Sequence, residues 1–120
     1  METKISGKYN RFVKMAIKLA ETVKFNHRHG AIVTRGGKVI GKGKNCYDRC
    51  THAETCAIDD NWASEMQGAT IVIIRLRKGK KLGMSRPCDN CMAKIRSVGI
   101  KRIVYSTNSL EFPLAIEKVI

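Results

Sequence analysis

Acid is scarce in this chain: 10 Asp and Glu stand against 23 Lys and Arg, for a net charge of +13. A field of that sign attracts polyanions and steers phosphorylated ligands, although lysines spread over a solvated face would give the same total. Aromatic residues make up only 6% of the chain, which leaves few platforms on which a single-stranded nucleic acid could stack. Long apolar runs are missing too. The longest, Ala69 to Ile74, is interrupted by Thr70 and falls far short of a bilayer span. The N-terminal stretch METKISGKYNR has no apolar signal core. We therefore expect a protein of the reducing cytoplasmic compartment with no membrane partner. No repeat, low-complexity run or Pro/Ser-rich linker divides the 120 residues, so we expect one domain over 1–120 with a single core, residues 1–8 being loose. The five cysteines are an odd number, and without a signal sequence they read as metal ligands or reduced thiols before disulfides.

What is present has clear periodicity. Between Tyr9 and Lys24 apolar residues recur at Phe12, Ala16, Leu19, Ala20 and Val23, with lysines opposite; this predicts a helix. Two β-branched runs flank Gly36-Gly37, which predicts strands at Ala31–Arg35 and Lys38–Gly43 joined by a two-residue turn. HAETCAIDDNWASE reads as a helix. ATIVIIRL is almost wholly apolar, the mark of a central strand buried on both faces. RKGKKLGMS reads as a basic loop, and PCDNCMAKIRSVG as a helix with Pro87 near its start and Gly99 just past its end. IKRIVYS predicts another strand, and Leu110 to Ile120 a short helix after Pro113. The order α-β-β-α-β-α-β implies a mixed sheet covered by helices, with any site at the loop and helix ends beyond the strands.

Two motifs open predicted helices. In PCDNC, Cys88 and Cys91 are spaced i, i+3, so one helical turn places both sulfurs on one face. In a first turn, unpaired N–H groups and the helix dipole favour the thiolate that binds metal. Alone, such a pair could equally be a redox couple or half a zinc finger. His52 in CTHAETCAIDD would add an imidazole. One His and two Cys leave a tetrahedral zinc with an open position, the arrangement of catalytic zinc. Glu54 would then carry protons without being a ligand. His52 and Glu54, two residues apart, do not share a helix face; they converge only if the metal lies off the helix mouth. Cys50 offers a rival: with His52, Cys88 and Cys91 it would close a structural Cys3His site in which Glu54 has no role. Cys46 and Cys56 read as incidental thiols.

The pair HAETCAI and RPCDNC, with 36 positions from His52 to Cys88, resembles the signature of the cytidine and deoxycytidylate deaminase superfamily. The resemblance runs from the first helix to GIKRIVYS. It implies an α/β fold, a three-layer α/β/α sandwich on a mixed sheet of four to five strands, and a Zn2+ cofactor held by His52, Cys88 and Cys91, with Glu54 as catalytic proton shuttle. It further implies that the Ala53 N–H holds the base carbonyl, that Asn45 contacts a sugar hydroxyl, that a carbonyl around Ser85 and Arg86 receives the substrate amino group, and that Tyr105 stacks on base or sugar. Asn45 could equally be a turn residue, and Tyr105 a core aromatic. The chain departs from the family in stopping soon after VYSTN, where a further strand and helix usually follow. The expected fifth strand could thus be absent, rudimentary or supplied by a partner, and missing cover favours a homo-oligomer.

Three functions follow as expectations. The first is zinc-dependent hydrolytic deamination of a free cytosine nucleoside or nucleotide. The second is deamination of cytosine or adenine in RNA or single-stranded DNA. The third is a non-catalytic, basic, zinc-stabilised nucleic-acid-binding module. Glu54 weighs against the third, because a structural zinc needs no acid beside it. The basic stretch RLRKGKKLGMSR serves either of the first two, as a grip on a nucleotide phosphate or on a nucleic-acid backbone. Scarce aromatics favour the small substrate.

Overall fold

The computed structural model describes residues 9–23, 28–44, 66–77, 81–109 and 113–119. Helix α1 spans Asn10–Glu21, strands β1 Arg28–Arg35, β2 Lys38–Lys44, β3 Thr70–Arg77 and β4 Lys81–Gly83, helix α2 Asp89–Ser97, and strands β5 Arg102–Ser106 and β6 Leu114–Lys118. The second predicted helix and residues 1–8, for which looseness is the expectation, lie outside the described residues.

The sheet runs β2-β1-β3-β5-β6, with β4 paired to β3. The β3–β5 pair is parallel and the others are antiparallel, so the sheet is mixed, as expected. Side chains alternate across it with the strand period of two. On one face Ile71 and Ile73 of β3 join Ala31, Val33, Ile103 and Ile95 of α2. On the other, Val72 and Ile74 join Ile32, Val104 and the α1 residues Phe12, Val13 and Ala16. The near-continuous apolar run of β3 therefore feeds two cores, and α1 and α2 cover opposite faces of a three-layer sandwich. Each fully buried isoleucine in these layers contributes about 1.5–3 kcal/mol.

Local signals set the ends of these elements. Gly36 and Gly37 both have positive φ, 59° and 80°, as the tight β1–β2 hairpin requires. A side chain at Gly30 would collide with the Ala16 carbonyl oxygen, so this glycine lets α1 settle onto β1. Helix α2 ends in a Schellman motif. The Gly99 N–H reaches the Arg96 carbonyl at 3.1 Å and the Ile100 N–H reaches that of Ile95 at 3.3 Å, with Gly99 at φ 82°.

Two expectations are corrected. The segment after Pro113 is strand β6, not a short helix, and it pairs antiparallel with β5 from Arg102↔Lys118 to Ser106↔Leu114. Its residues are good helix formers, but pairing satisfies the otherwise open edge of β5, and tertiary context overrides local propensity. The sheet thus supplies its own outer strand. The basic stretch before PCDNC is not all loop: Lys81–Gly83 forms β4 against Arg75–Arg77, while residues 78–80 lie outside the described set.

Candidate metal centre

Strands β3 and β5 run parallel, and β3 is the longer. Pairing with β5 stops at Ile73↔Tyr105, and β4 takes up the vacated side of β3 from Arg75 onward. The junction between β5 and β4 is sutured by two buried serines. The Ser106 hydroxyl accepts the Arg75 backbone N–H at 2.9 Å and donates to the Gly83 carbonyl at 2.6 Å. The Ser85 hydroxyl accepts the Ser106 N–H at 2.9 Å and donates to the Ile73 carbonyl at 2.8 Å, and the two hydroxyl oxygens lie 2.9 Å apart. The Ser85 N–H closes the set on the Ser106 carbonyl at 2.9 Å. These bonds fasten the segment leading into α2 to the C-terminal end of β5, where ligand sites of open α/β sheets gather.

Cys88 is the N-cap of α2, in extended conformation with ψ 169°. Its carbonyl accepts the first helical bond, from the Met92 N–H at 2.8 Å. Cys91 lies one turn on, only 5% exposed, whereas Cys88 is exposed; neither is in a disulfide. The pair thus spans the mouth of the helix, one sulfur facing solvent and one facing the core. Among the described residues no side chain caps the helix start, so its first-turn N–H groups and dipole lie beside the two sulfurs. This donor set fits zinc: soft thiols, i, i+3, not consumed in a disulfide. Among the described residues no three His, Cys, Asp or Glu groups converge. The third expected ligand, His52, lies outside them, as do Glu54, Asn45 and Ala53, and also Cys46, Cys50 and Cys56.

The structure brings three of the remaining candidates together. Ser85 is buried, and its hydroxyl is committed to the suture. Arg86, next along, is exposed and forms an ion pair with Glu117 of β6, Nε to Oε2 at 2.7 Å. Tyr105 is 9% exposed, packed in the α2-side core, with the Glu117 carboxylate near enough to its hydroxyl to shift its ionisation. The Arg86 hydrogen bond holds Glu117 below the ordinary glutamate range, helped by the Tyr105 hydroxyl. Glu117 in turn raises Arg86. Burial, then the nearby Glu117 carboxylate, pushes the Tyr105 phenol up. The sequence reading missed Glu117 and Ser106. Glu117 sat in a presumed helix. The run Leu114-Ala115-Ile116-Glu117-Lys118 does not alternate apolar with polar, so it carries no strand signal of its own. Nothing in the sequence pairs Ser85 with Ser106.

A profile of the cytidine and deoxycytidylate deaminase zinc-binding region matches residues 6–107. No curated protein sequence gives a significant match. Among solved structures, a diaminohydroxyphosphoribosylaminopyrimidine deaminase/5-amino-6-(5-phosphoribosylamino)uracil reductase from Thermotoga maritima is 28% identical over 86% of this chain, with TM-score 0.65. This chain covers 30% of that enzyme's length. The dCMP deaminase of cyanophage S-TIM5 is 19% identical, with 86% of each chain covered and TM-score 0.66. The cytidine deaminase of Burkholderia pseudomallei is 16% identical, with 96% of this chain and 94% of that one covered and TM-score 0.65. The last two likenesses show the fold. Among the described residues no helix is long and apolar enough to cross a membrane. Matched over 102 of its residues and carrying the expected cysteine pair at a helix mouth, the chain belongs to the cytidine and deoxycytidylate deaminase zinc-binding family.

Proposed function

We propose that the protein hydrolytically deaminates a free amino-substituted pyrimidine nucleoside or nucleotide, with cytosine the first choice of base. The observation that carries this reading is the placement of Cys88 and Cys91 at the mouth of α2, beyond the C-terminal end of β5. His52 would complete a three-ligand zinc site with Cys88 and Cys91. Zinc with one open position supplies a water nucleophile active near neutral pH.

The chain's other residues have separate tasks. Glu54 would take the two protons of the attacking water in turn, passing the first to the ring nitrogen and the second to the amino group that leaves as ammonia. The Ala53 N–H and Asn45 hold the base carbonyl and a sugar hydroxyl. A carbonyl of the Ser85–Arg86 segment accepts the substrate amino group. The serine suture supports this last role, because it fixes that backbone before substrate arrives and so removes a reorganisation cost. Tyr105, with most of its ring in the core, offers only its exposed edge to base or sugar. The Thermotoga enzyme gives a second reading, an aminopyrimidine carrying a phosphoribosyl group, because it is 28% identical to this chain. Self-association is a separate proposal, resting on β6 as an outer strand with Ile116 exposed; light scattering tests it.

An ammonia-release screen on zinc-loaded protein tests the substrate. It would offer cytidine, deoxycytidine, their monophosphates, the aminopyrimidine phosphoribosyl compound, adenosine, guanine, single-stranded DNA and RNA. Turnover of a cytosine nucleoside or nucleotide is expected, and Glu54→Ala should keep the fold and the zinc while abolishing turnover. Activity confined to oligonucleotides would overturn the small-substrate reading. Loss of metal in Glu54→Ala would favour a structural site.

A further inference from the structure

The end of the sheet opposite the cysteines carries its own cavity, of about 280 Å3, formed by the β1–β2 turn, the starts of β3 and β5 and the start of α1. Its separation from the metal centre follows from the strands. Arg102 opens β5 and Ser106 closes it, so the two ends lie about 13 Å apart at the strand rise. Three cations line the cavity, Arg35, Lys101 and Arg102, and none of its described lining residues is acidic. Among the described residues no carboxylate pairs with any of the three. Arg102 is held in place by donating to the Tyr9 hydroxyl at 3.0 Å. The turn is pinned to α1 by Arg11, which donates to the Gly37 carbonyl at 2.6 Å, and there is open space beside both Gly36 and Gly37. Helix α1 has no acidic residue in its first turn, so the positive end of its dipole adds to the same field.

Like charges converging without a carboxylate repel one another; an anion relieves that repulsion. Two guanidinium forks and an ammonium suit a doubly or triply charged oxyanion, whose oxygens they can bind bidentately, better than a single carboxylate. The volume is that of a small-ligand pocket. A nucleic-acid strand would instead need a groove open at both ends. We infer that this pocket binds the phosphate or diphosphate group of a small ligand, at a site separate from the metal centre. The inference stands whether or not the deaminase substrate is correctly assigned.

The test is calorimetric titration of the zinc-loaded full chain with inorganic phosphate and with pyrophosphate. Arg35→Ala/Lys101→Ala removes two exposed cations and leaves the packing intact; Arg102→Gln removes the third. The control, Lys14→Ala/Lys18→Ala on the outer face of α1, removes the same charge elsewhere. Pyrophosphate should bind the wild type, and the pocket variants should lose about tenfold in affinity or more per cation removed. Their zinc content should not change and their unfolding midpoint should not fall, and the control should bind within about twofold of wild type. Absence of pyrophosphate binding, or equal weakening in the control and pocket variants, would overturn the inference. So would a single-stranded oligonucleotide that binds as tightly as pyrophosphate and is lost in the same variants, because the phosphate would then be a nucleic-acid backbone.

Discussion

Replacing Ser106 by alanine removes one oxygen atom and creates almost no cavity, yet it should be among the most costly small changes in the protein. Ser106 is fully buried. Its hydroxyl is the acceptor for the Arg75 N–H and the donor to the Gly83 carbonyl. Both backbone groups sit where β3 changes partner from β5 to β4, and the substitution leaves each without that bond. Two lost bonds at about 1–1.5 kcal/mol, plus part of the desolvation cost of the groups left behind, give about 3 kcal/mol. At an m-value of about 2 kcal/mol per molar urea, the midpoint falls by ~1–2 M with the slope unchanged. Unfolding should be measured with zinc saturating and again with chelator. The suture belongs to the sheet, so the cost should persist without metal. Zinc affinity should fall as well, by about tenfold or more, because the suture positions the segment that delivers Cys88. Ser85→Ala should behave alike, and the double variant should cost clearly less than the two single losses added. A loss below about 0.5 kcal/mol, with or without metal, would refute the reasoning.

Cys88→Ala should abolish stoichiometric zinc and lower stability, whereas Cys50→Ala should leave the metal content unchanged; a colorimetric zinc assay reads both, and zinc loss in the Cys50 variant would support the closed Cys3His site. Glu117→Gln should weaken the tie between β6 and Arg86. Because the Glu117 pKa is depressed below its ordinary 4.5, the pair's stabilisation is full above that value and is lost as pH falls through the lower native value. The gap between wild-type and variant unfolding midpoints should therefore be small at neutral pH, shrink further with salt, and close below pH 4.5. A gap that widened in acid would mean that Glu117 acts otherwise. Gly30→Ala forces a Cβ against the Ala16 carbonyl and should cost about 1–3 kcal/mol by displacing α1 from β1; a thermal melt equal to wild type would show that α1 yields freely.

Periodicity made the central layers legible, because the residues carrying each signal also do the packing. Phe12, Ala16 and Ala20 bury one stripe of α1, and Ile71 to Ile74 are buried on alternating sides of β3. Gly36-Gly37 and Gly99 mark turns where the chain takes positive φ. The legible signals were local ones. β6 was not legible, since Leu, Ala, Glu and Lys favour a helix locally and the deciding interaction is with β5, already complete a few residues earlier. β1 begins before the predicted Ala31. Arg28 and His29 look like loop residues, yet they pair with Leu76 and Arg75, and the Arg28 guanidinium donates to the Arg77 carbonyl at 3.0 Å.

The same division runs through the site. The placement of Cys88 and Cys91 at the start of α2 could be read in advance because it is specified by element type and i, i+3 spacing, both local. The residues that hold them in position could not, because a buried hydroxyl network is specified by what faces it. Ser85 and Ser106 are 21 positions apart, and each would be an ordinary small polar residue if the other were elsewhere. Glu117 draws its role from Arg86, 31 positions away, and from a strand that the sequence reads as helix. A motif therefore locates the chemistry, and the long-range polar pairs that stiffen it appear only once the sheet order is known. This has a practical consequence for engineering the site: altering Arg86 to change substrate preference also releases Glu117. The replacement must therefore keep a hydrogen-bond donor toward β6, as lysine does and alanine does not, and zinc content measured beside activity separates loss of the substrate contact from loss of the support.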